Sequence, residues 1–263
     1  MPRLADQSLP LQHCTVLSLR PRGQHASLRA ACARHGARLL ALSPLAITPL
    51  ASVQTRTALL AALAADVLLF TSPNAVRAAA TLHPLHARHG QHWLAVGRGT
   101  QRALARAGIA ALAPTRMDSE GLLGLPALAN VHALRIALVT APGGRGVIAP
   151  TLQARGAQVL RVDVYARAAV TIPKQRWALL ATALRQPAHV ALALSSGEAL
   201  HALLAQTPPA LLPILRKVRV AAASARLAQA AHDAGFRLVE QASSARPADV
   251  LAAIARTWPR AST

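Results

Sequence analysis

Carboxylates are scarce in this 263-residue chain: nine Asp and Glu stand against 29 Lys and Arg, a formal charge of +20. That balance excludes a partner chosen for positive charge and favours an anionic one. The acidic side chains are Asp6, Asp66, Asp118, Glu120, Asp163, Glu198, Asp233, Glu240 and Asp249. Their spacing offers no glycosidase-type pair. Asp66 precedes a strand-like run, and Asp118 with Glu120 opens a helical pattern, so all three have structural explanations. Aromatics are 2% of the residues. Bases therefore find little to stack on, and core volume must come from Ala, Leu and Val. Lysine occurs only at Lys174 and Lys217. The arginines are scattered singly, without the blocks of a basic arm, so neither nucleic acid nor a membrane is the expected partner. Cys14 and Cys32 are the only cysteines. Without a CxxC they form neither a zinc site nor a disulfide framework, and reduced thiols are expected. The longest apolar stretch, Ala58 to Phe70, contains Asp66 and falls short of the ~20 residues of a membrane helix. No apolar run follows the first residues as in a secretory leader. A cytoplasmic location is expected.

Hydrophobic residues make up 53% of the chain. One unit recurs among them: a short apolar run, a small polar or glycine turn, then a helical pattern. It appears at Thr15–Leu19, Val67–Phe70, Trp93–Val96, Ile136–Val139, Val190–Leu194 and Val218–Ala222. Unbroken apolar strands alternating with helices are buried on both faces, which means parallel sheets in an α/β protein. Gly36, Gly108, Gly156 and Gly235 sit where helices would end in a left-handed cap.

A longer repeat lies over this one. AVGRGTQRALARAG (95–108) and AASARLAQAAHDAG (222–235) have equal length and the same closing glycine. Each is followed by a strand-like piece, Ile109–Ala113 or Phe236–Glu240, and then by a final helical segment. Two similar α/β domains are the simplest account. Pro44–Pro49 and Val159–Val170 read as paired linkers. The expected division is a discontinuous domain, 1–42 plus 169–263, and an inserted domain, 46–164. The linkers fall near 43–50 and 159–170.

In open parallel sheets, ligands bind beyond the carboxyl ends of the strands, where helix N-termini favour anions. Five turns lie at such places. Thr71-Ser72-Pro73-Asn74 is a helix cap with proline in the first turn. Gly97-Arg98-Gly99-Thr100 begins like a dinucleotide fingerprint, but Arg102 replaces the third glycine and no acidic residue follows at the usual distance. Gly143-Gly144-Arg145-Gly146 is an anion-prone turn without the Gly-Lys-Ser/Thr of a nucleotide loop. Ser195-Ser196-Gly197 and Ser224-Ala225-Arg226 complete the set, and no GxSxG elbow is present. Singly, each is an ordinary cap. Collectively they line strand ends in both domains. His83, His86, His89 and His92 are spaced by three, but Pro84 and Gly90 interrupt them and no metal is expected. Tyr165, the sole tyrosine, is expected half-buried in the second linker, facing the gap between the domains.

These turns resemble those of the uroporphyrinogen-III synthase family over nearly the whole chain. The resemblance is carried by FTSPNAVRA (70–78), AVGRGTQRALARAG (95–108), DSEGLL (118–123), APGGRG (141–146), VYARA (164–168), SSGEAL (195–200), ASARLAQAAHDAGF (223–236) and PADVLAAI (247–254). It implies two flavodoxin-like domains with parallel sheets, joined by a two-stranded linker. It also implies a cyclising hydro-lyase that converts hydroxymethylbilane into uroporphyrinogen III, losing water and inverting the terminal pyrrole ring. Neither cofactor nor metal is implied, and a monomer is expected. The substrate's four acetates and four propionates would account for the positive charge. Residue by residue, the resemblance points to Thr71, Ser72, Asn74, Gly97, Thr100, Gly143, Gly144, Arg145, Ser195, Ser196 and Arg20 for substrate binding. Tyr165 is the expected general acid. Many members have Gly then Thr three residues on at the second glycine turn; here Ser224 and Leu227 stand there, and Ser224 is expected to bind substrate in their place. A two-lobed protein that binds an anionic ligand or nucleic acid without catalysis is the alternative.

Overall fold

The computed structural model describes residues 9–116, 119–143 and 146–258. Its elements begin with β1 (Thr15–Ser18), α1 (Ala26–Arg34), β2 (Arg38–Ala41), β3 (Leu45–Pro49), α2 (Val53–Leu63), β4 (Val67–Phe70) and α3 (Pro73–Leu82). Next come β5 (His92–Ala95), α4 (Arg98–Arg106), α5 (Ser119–Leu123), β6 (Arg135–Thr140), α6 (Ile148–Ala154), β7 (Gln158–Asp163), β8 (Tyr165–Ala169) and α7 (Lys174–Ala183). The chain closes with β9 (Val190–Leu194), α8 (Gly197–Gln206), α9 (Leu212–Leu215), β10 (Arg219–Ala222), α10 (Ala225–Asp233), β11 (Val239–Gln241) and α11 (Pro247–Thr257).

The contacts divide the chain into unit 1, Met1–Ala46 with Ala168–Thr263, and unit 2, Ile47–Arg167. In unit 1 the sheet order is β11-β10-β9-β1-β2, with every pair parallel. Its strands taken in chain order follow the flavodoxin-like arrangement. The residues of β9 alternate between two cores. Val190, Leu192 and Leu194 face one that includes Phe236. Ala191 and Ala193 face the other, with Leu28 of α1 and Leu251 and Ile254 of α11. Both faces are apolar because helices cover both.

Unit 2 has a parallel sheet of order β5-β4-β6-β7. A single parallel bridge, Leu94↔Leu112, extends its β5 edge. With Leu112 counted, the two sheets have matching neighbours: β4 corresponds to β9, β5 to β10, β6 to β1 and β7 to β2. Phe70 and Trp93 stack in its core at 5.6 Å between ring centroids. Helix α3 is built from its sequence: Ser72 caps it, Pro73 opens it, and Ala75, Val76, Ala79 and Leu82 form its buried stripe. The expected left-handed glycines are present, with φ of +77° at Gly36, +79° at Gly108, +84° at Gly156 and +89° at Gly235.

Strands β3 and β8 pair as a separate two-stranded sheet. Three expectations need correction. The segment 159–170 is not all linker, because β7 pairs with β6 from Gln158 to Asp163 and only β8 joins β3. The β-prone run is continuous from one strand into the next, so its pattern alone does not separate β7 from β8. Ile109–Ala113 forms one bridge rather than a strand. The helix expected after it is short, α5 followed by a separate turn of 3₁₀ helix at Pro126–Leu128. Asp118 lies outside the described residues.

Candidate active site

The switch point of unit 2 lies between β4 and β6, where the strand order reverses. Beyond the carboxyl ends of these strands is a cavity of about 240 Å³. Thr71 follows β4 and Thr140 ends β6; their hydroxyls are 2.7 Å apart. Ser72 accepts a hydrogen bond from the Ala75 N–H at 3.0 Å, capping α3. The same Ser72 hydroxyl lies 3.0 Å from the Tyr165 hydroxyl. Tyr165 is only 2% exposed, correcting the half-buried expectation: its ring joins the core that holds Phe70 and Val139. Tyr165 is nonetheless one of the residues that line the cavity.

Arginines complete this wall. Arg161 and Arg167 both line the cavity, and no carboxylate does among the described residues. Arg161 is held by the Ala141 carbonyl at 3.0 Å and pairs with Asp163 at 3.1 Å. Arg167 donates to the Pro142 carbonyl at 3.2 Å. Both anchors lie at the start of the glycine turn, so that turn is fastened to the arginine-bearing strands. Gly143 has φ +81°, a conformation suited to glycine. A Cβ there would stand 3.7 Å from the Arg167 guanidinium. The cavity thus combines hydroxyls, two fixed cations and a buried phenol, suited to a carboxylate-bearing ligand.

The sequence-selected residues separate by location. Thr71, Ser72, Gly143 and Tyr165 line this cavity. Gly144 and Arg145 lie outside the described residues. Asn74 is in the first turn of α3 and accepts from the Arg77 guanidinium. Gly97 caps α4 with extended backbone, and Thr100 is buried within that helix; Val96 lines the cavity in their place. In unit 1, Ser196 caps α8 by accepting from the Ala199 N–H at 3.2 Å, beside exposed Ser195. Ser224 caps α10, 3.4 Å from the Leu227 N–H. Arg20 lies just beyond β1, its guanidinium 3.4 Å from the Ala245 carbonyl. Burial lowers the pKa of that guanidinium from its ordinary value.

Sequence reasoning missed Thr140, Arg161 and Arg167. The signal was present in RVDVYAR (161–167): in an extended segment, residues two apart share a face. In the histidine run, His83 caps the end of α3 and His92 begins β5. No helix among the described residues is long and apolar enough to cross a membrane.

A family sequence model described as uroporphyrinogen-III synthase HemD matches residues 26–252. The chain belongs to the uroporphyrinogen-III synthase family. Two solved structures show the same fold. A mutant uroporphyrinogen III synthase of Thermus thermophilus aligns with a TM-score of 0.59 and 23% identity, covering 92% of this chain and 98% of that one. Uroporphyrinogen-III synthetase of Helicobacter pylori gives 0.60 at 12% identity, covering 91% and 97%. The family places the chain among the enzymes of tetrapyrrole biosynthesis, with a small tetrapyrrole as substrate.

Proposed function

We propose that the chain is a cyclising hydro-lyase that closes hydroxymethylbilane into uroporphyrinogen III with the terminal ring inverted. The observation that carries the site assignment is the cavity at the unit 2 switch point. There a buried phenol lies among hydroxyls and two anchored arginines. Arg161, Arg167, Thr71 and the Gly143 turn hold acetate and propionate groups. The turns at Arg20, Ser195–Ser196 and Ser224 offer unit 1's own hydroxyls, N–H groups and guanidinium to further carboxylates.

The bilane ionises and cyclises without help, giving the unrearranged isomer. Catalysis therefore means control of shape. Loss of the terminal hydroxyl leaves an azafulvene cation. Its carbon must meet the substituted carbon of the far ring, forming a spiro centre that opens and recloses with that ring reversed. Holding the reacting ends together can lower the barrier by ~7–11 kcal/mol. Tyr165 donates a proton to the departing hydroxyl, which leaves as water, and Ser72 orients the phenol. The ring regains its aromaticity by losing a proton from the newly bonded carbon, so the proton count balances.

The test is direct. Fresh hydroxymethylbilane is added to the purified chain, the products are oxidised, and the uroporphyrin isomers are separated. Type III product in excess of the protein-free control is the expected result. Type I alone, formed no faster than in the control, rejects the proposal.

A further inference from the structure

The proposed chemistry makes no use of a buried imidazole in unit 1. His25 is 8% exposed and occupies the position just before α1. Its Nδ1 lies 3.0 Å from the hydroxyl of Ser18, the last residue of β1. Its Nε2 lies 2.8 Å from the hydroxyl of Ser43. Ser18 is fully buried. Ser43 has φ +46°, a left-handed conformation uncommon for serine. It lies where the chain leaves β2 for β3.

The imidazole thus ties three pieces of backbone at the carboxyl edge of the unit 1 sheet. The Leu42 N–H reinforces them by donating to the Ser18 carbonyl at 3.0 Å. The turn from Leu19 to Gln24 is closed at its base by the Ser18–His25 contact. Arg20 projects from that turn. The turn follows β1, next to β9, which is the switch point of this sheet. In unit 2 a different pair of strand ends, those of β4 and β6, is joined by the hydroxyls of Thr71 and Thr140. The Ser18–His25 contact is buried and the Ser43 contact partly so; a buried member that loses its partner has no water to replace it, which favours one arrangement. A neutral imidazole suits it, with one nitrogen donating, the other accepting, and each serine able to do either.

We propose that His25 is a positioning residue: by bridging Ser18 and Ser43 it fixes the β1–α1 turn so that the Arg20 guanidinium receives a substrate acetate or propionate. The assignment deepens the tetrapyrrole reading and rests on it.

Full-length His25→Leu, His25→Gln and Ser43→Ala proteins provide the test, with steady-state kinetics on hydroxymethylbilane and amide exchange as readouts. His25→Leu should raise KM about tenfold while leaving kcat within about twofold, the mark of lost binding rather than lost chemistry. Ser43→Ala should follow in the same direction with a smaller change. Gln carries an amide near the Nε2 position and should restore part of the KM. The Gln24 and Leu42 amides should exchange faster in His25→Leu while those of β4 stay protected. Unchanged KM in both His25→Leu and Ser43→Ala overturns the proposal. So does a fall in kcat with faster exchange throughout, since that marks a merely structural histidine. Ser43→Ala removes one hydroxyl only and decides the matter if His25→Leu does not fold. If the unaltered chain yields only type I product, the substrate reading fails, and exchange then judges the brace: local acceleration sustains it and unchanged rates end it.

Discussion

The Tyr165 hydroxyl stands 3.0 Å from that of Ser72, which also caps α3. The Ser72 oxygen therefore serves both the N-terminus of α3 and the phenol proposed as proton donor. Replacing Tyr165 by Phe removes the donor, keeps the ring volume, and leaves Ser72 its bond from the Ala75 N–H. Turnover should fall roughly 100–10,000-fold with KM little changed, the range of a lost general acid. Rapid-quench measurement of kcat and a superimposable circular dichroism spectrum are the check. Full turnover removes Tyr165 from the chemistry.

Two helix-closing glycines have similar backbones but different surroundings. Gly156 has φ +84°, and a Cβ there would lie 2.7 Å from the His132 ring. Gly108 has φ +79°, and a Cβ there would meet nothing within 4 Å. Gly108→Ala should cost about 1 kcal/mol, the conformational penalty alone. Gly156→Ala should cost roughly 1–3 kcal/mol more, through strain and displaced packing. Urea midpoints of the two variants measure the difference. Equal midpoints would show that the His132 ring yields freely.

Stability should depend on His25 protonation. Burial, and then Arg29, Arg20 and Arg176, lower its pKa in the fold below the ordinary 6.5. The unfolded chain takes up the proton first as pH falls. The stabilisation from the neutral imidazole is therefore whole above about pH 6.5 and is lost as pH drops through the lower folded value. The melting temperature of the unaltered chain should decline over that window more steeply than that of His25→Gln. Parallel curves would contradict the assignment.

The two thiols should be inert in the fold. Cys14 and Cys32 are both buried. Burial raises each pKa, that of Cys32 to about 11. On the order of one Cys32 thiol in a thousand is then ionised near pH 8. Iodoacetamide should leave the native protein unmodified by mass and add two groups in guanidinium chloride. Rapid native labelling would show that the core of α1 and α11 opens readily.

The sequence carried much of this fold because burial on both sheet faces leaves short runs with no polar residue, as in Val67–Phe70 and Val190–Leu194. Glycines needing positive φ marked the helix ends as plainly. The repeat at 95–108 and 222–235 led to the paired architecture. Strand β7 stayed hidden because its β-prone run continues into β8, so the pattern alone does not separate the two. The Leu112 bridge was over-read as a strand, since a β-prone run had only one bridge to make. Within the candidate site, Thr71, Ser72, Gly143 and Tyr165 were legible as turn and family residues. Thr140 was not, because a hydroxyl at a strand end has no pattern of its own until its partner across the sheet is known. His25 was equally silent: its partners are seven and eighteen residues away, and only the sheet brings them together.

Thr15 of β1 is paired with Val190 of β9, 190 − 15 = 175 residues later. At ~5–20 residues per second a ribosome needs roughly 9–35 s to bridge that interval. Unit 2 is meanwhile complete at Arg167. During synthesis the first two strands must therefore wait, unpaired on one flank, until the whole of unit 2 has been made. A chaperone that shelters nascent apolar strands would find its target in the first forty or so residues of this polypeptide.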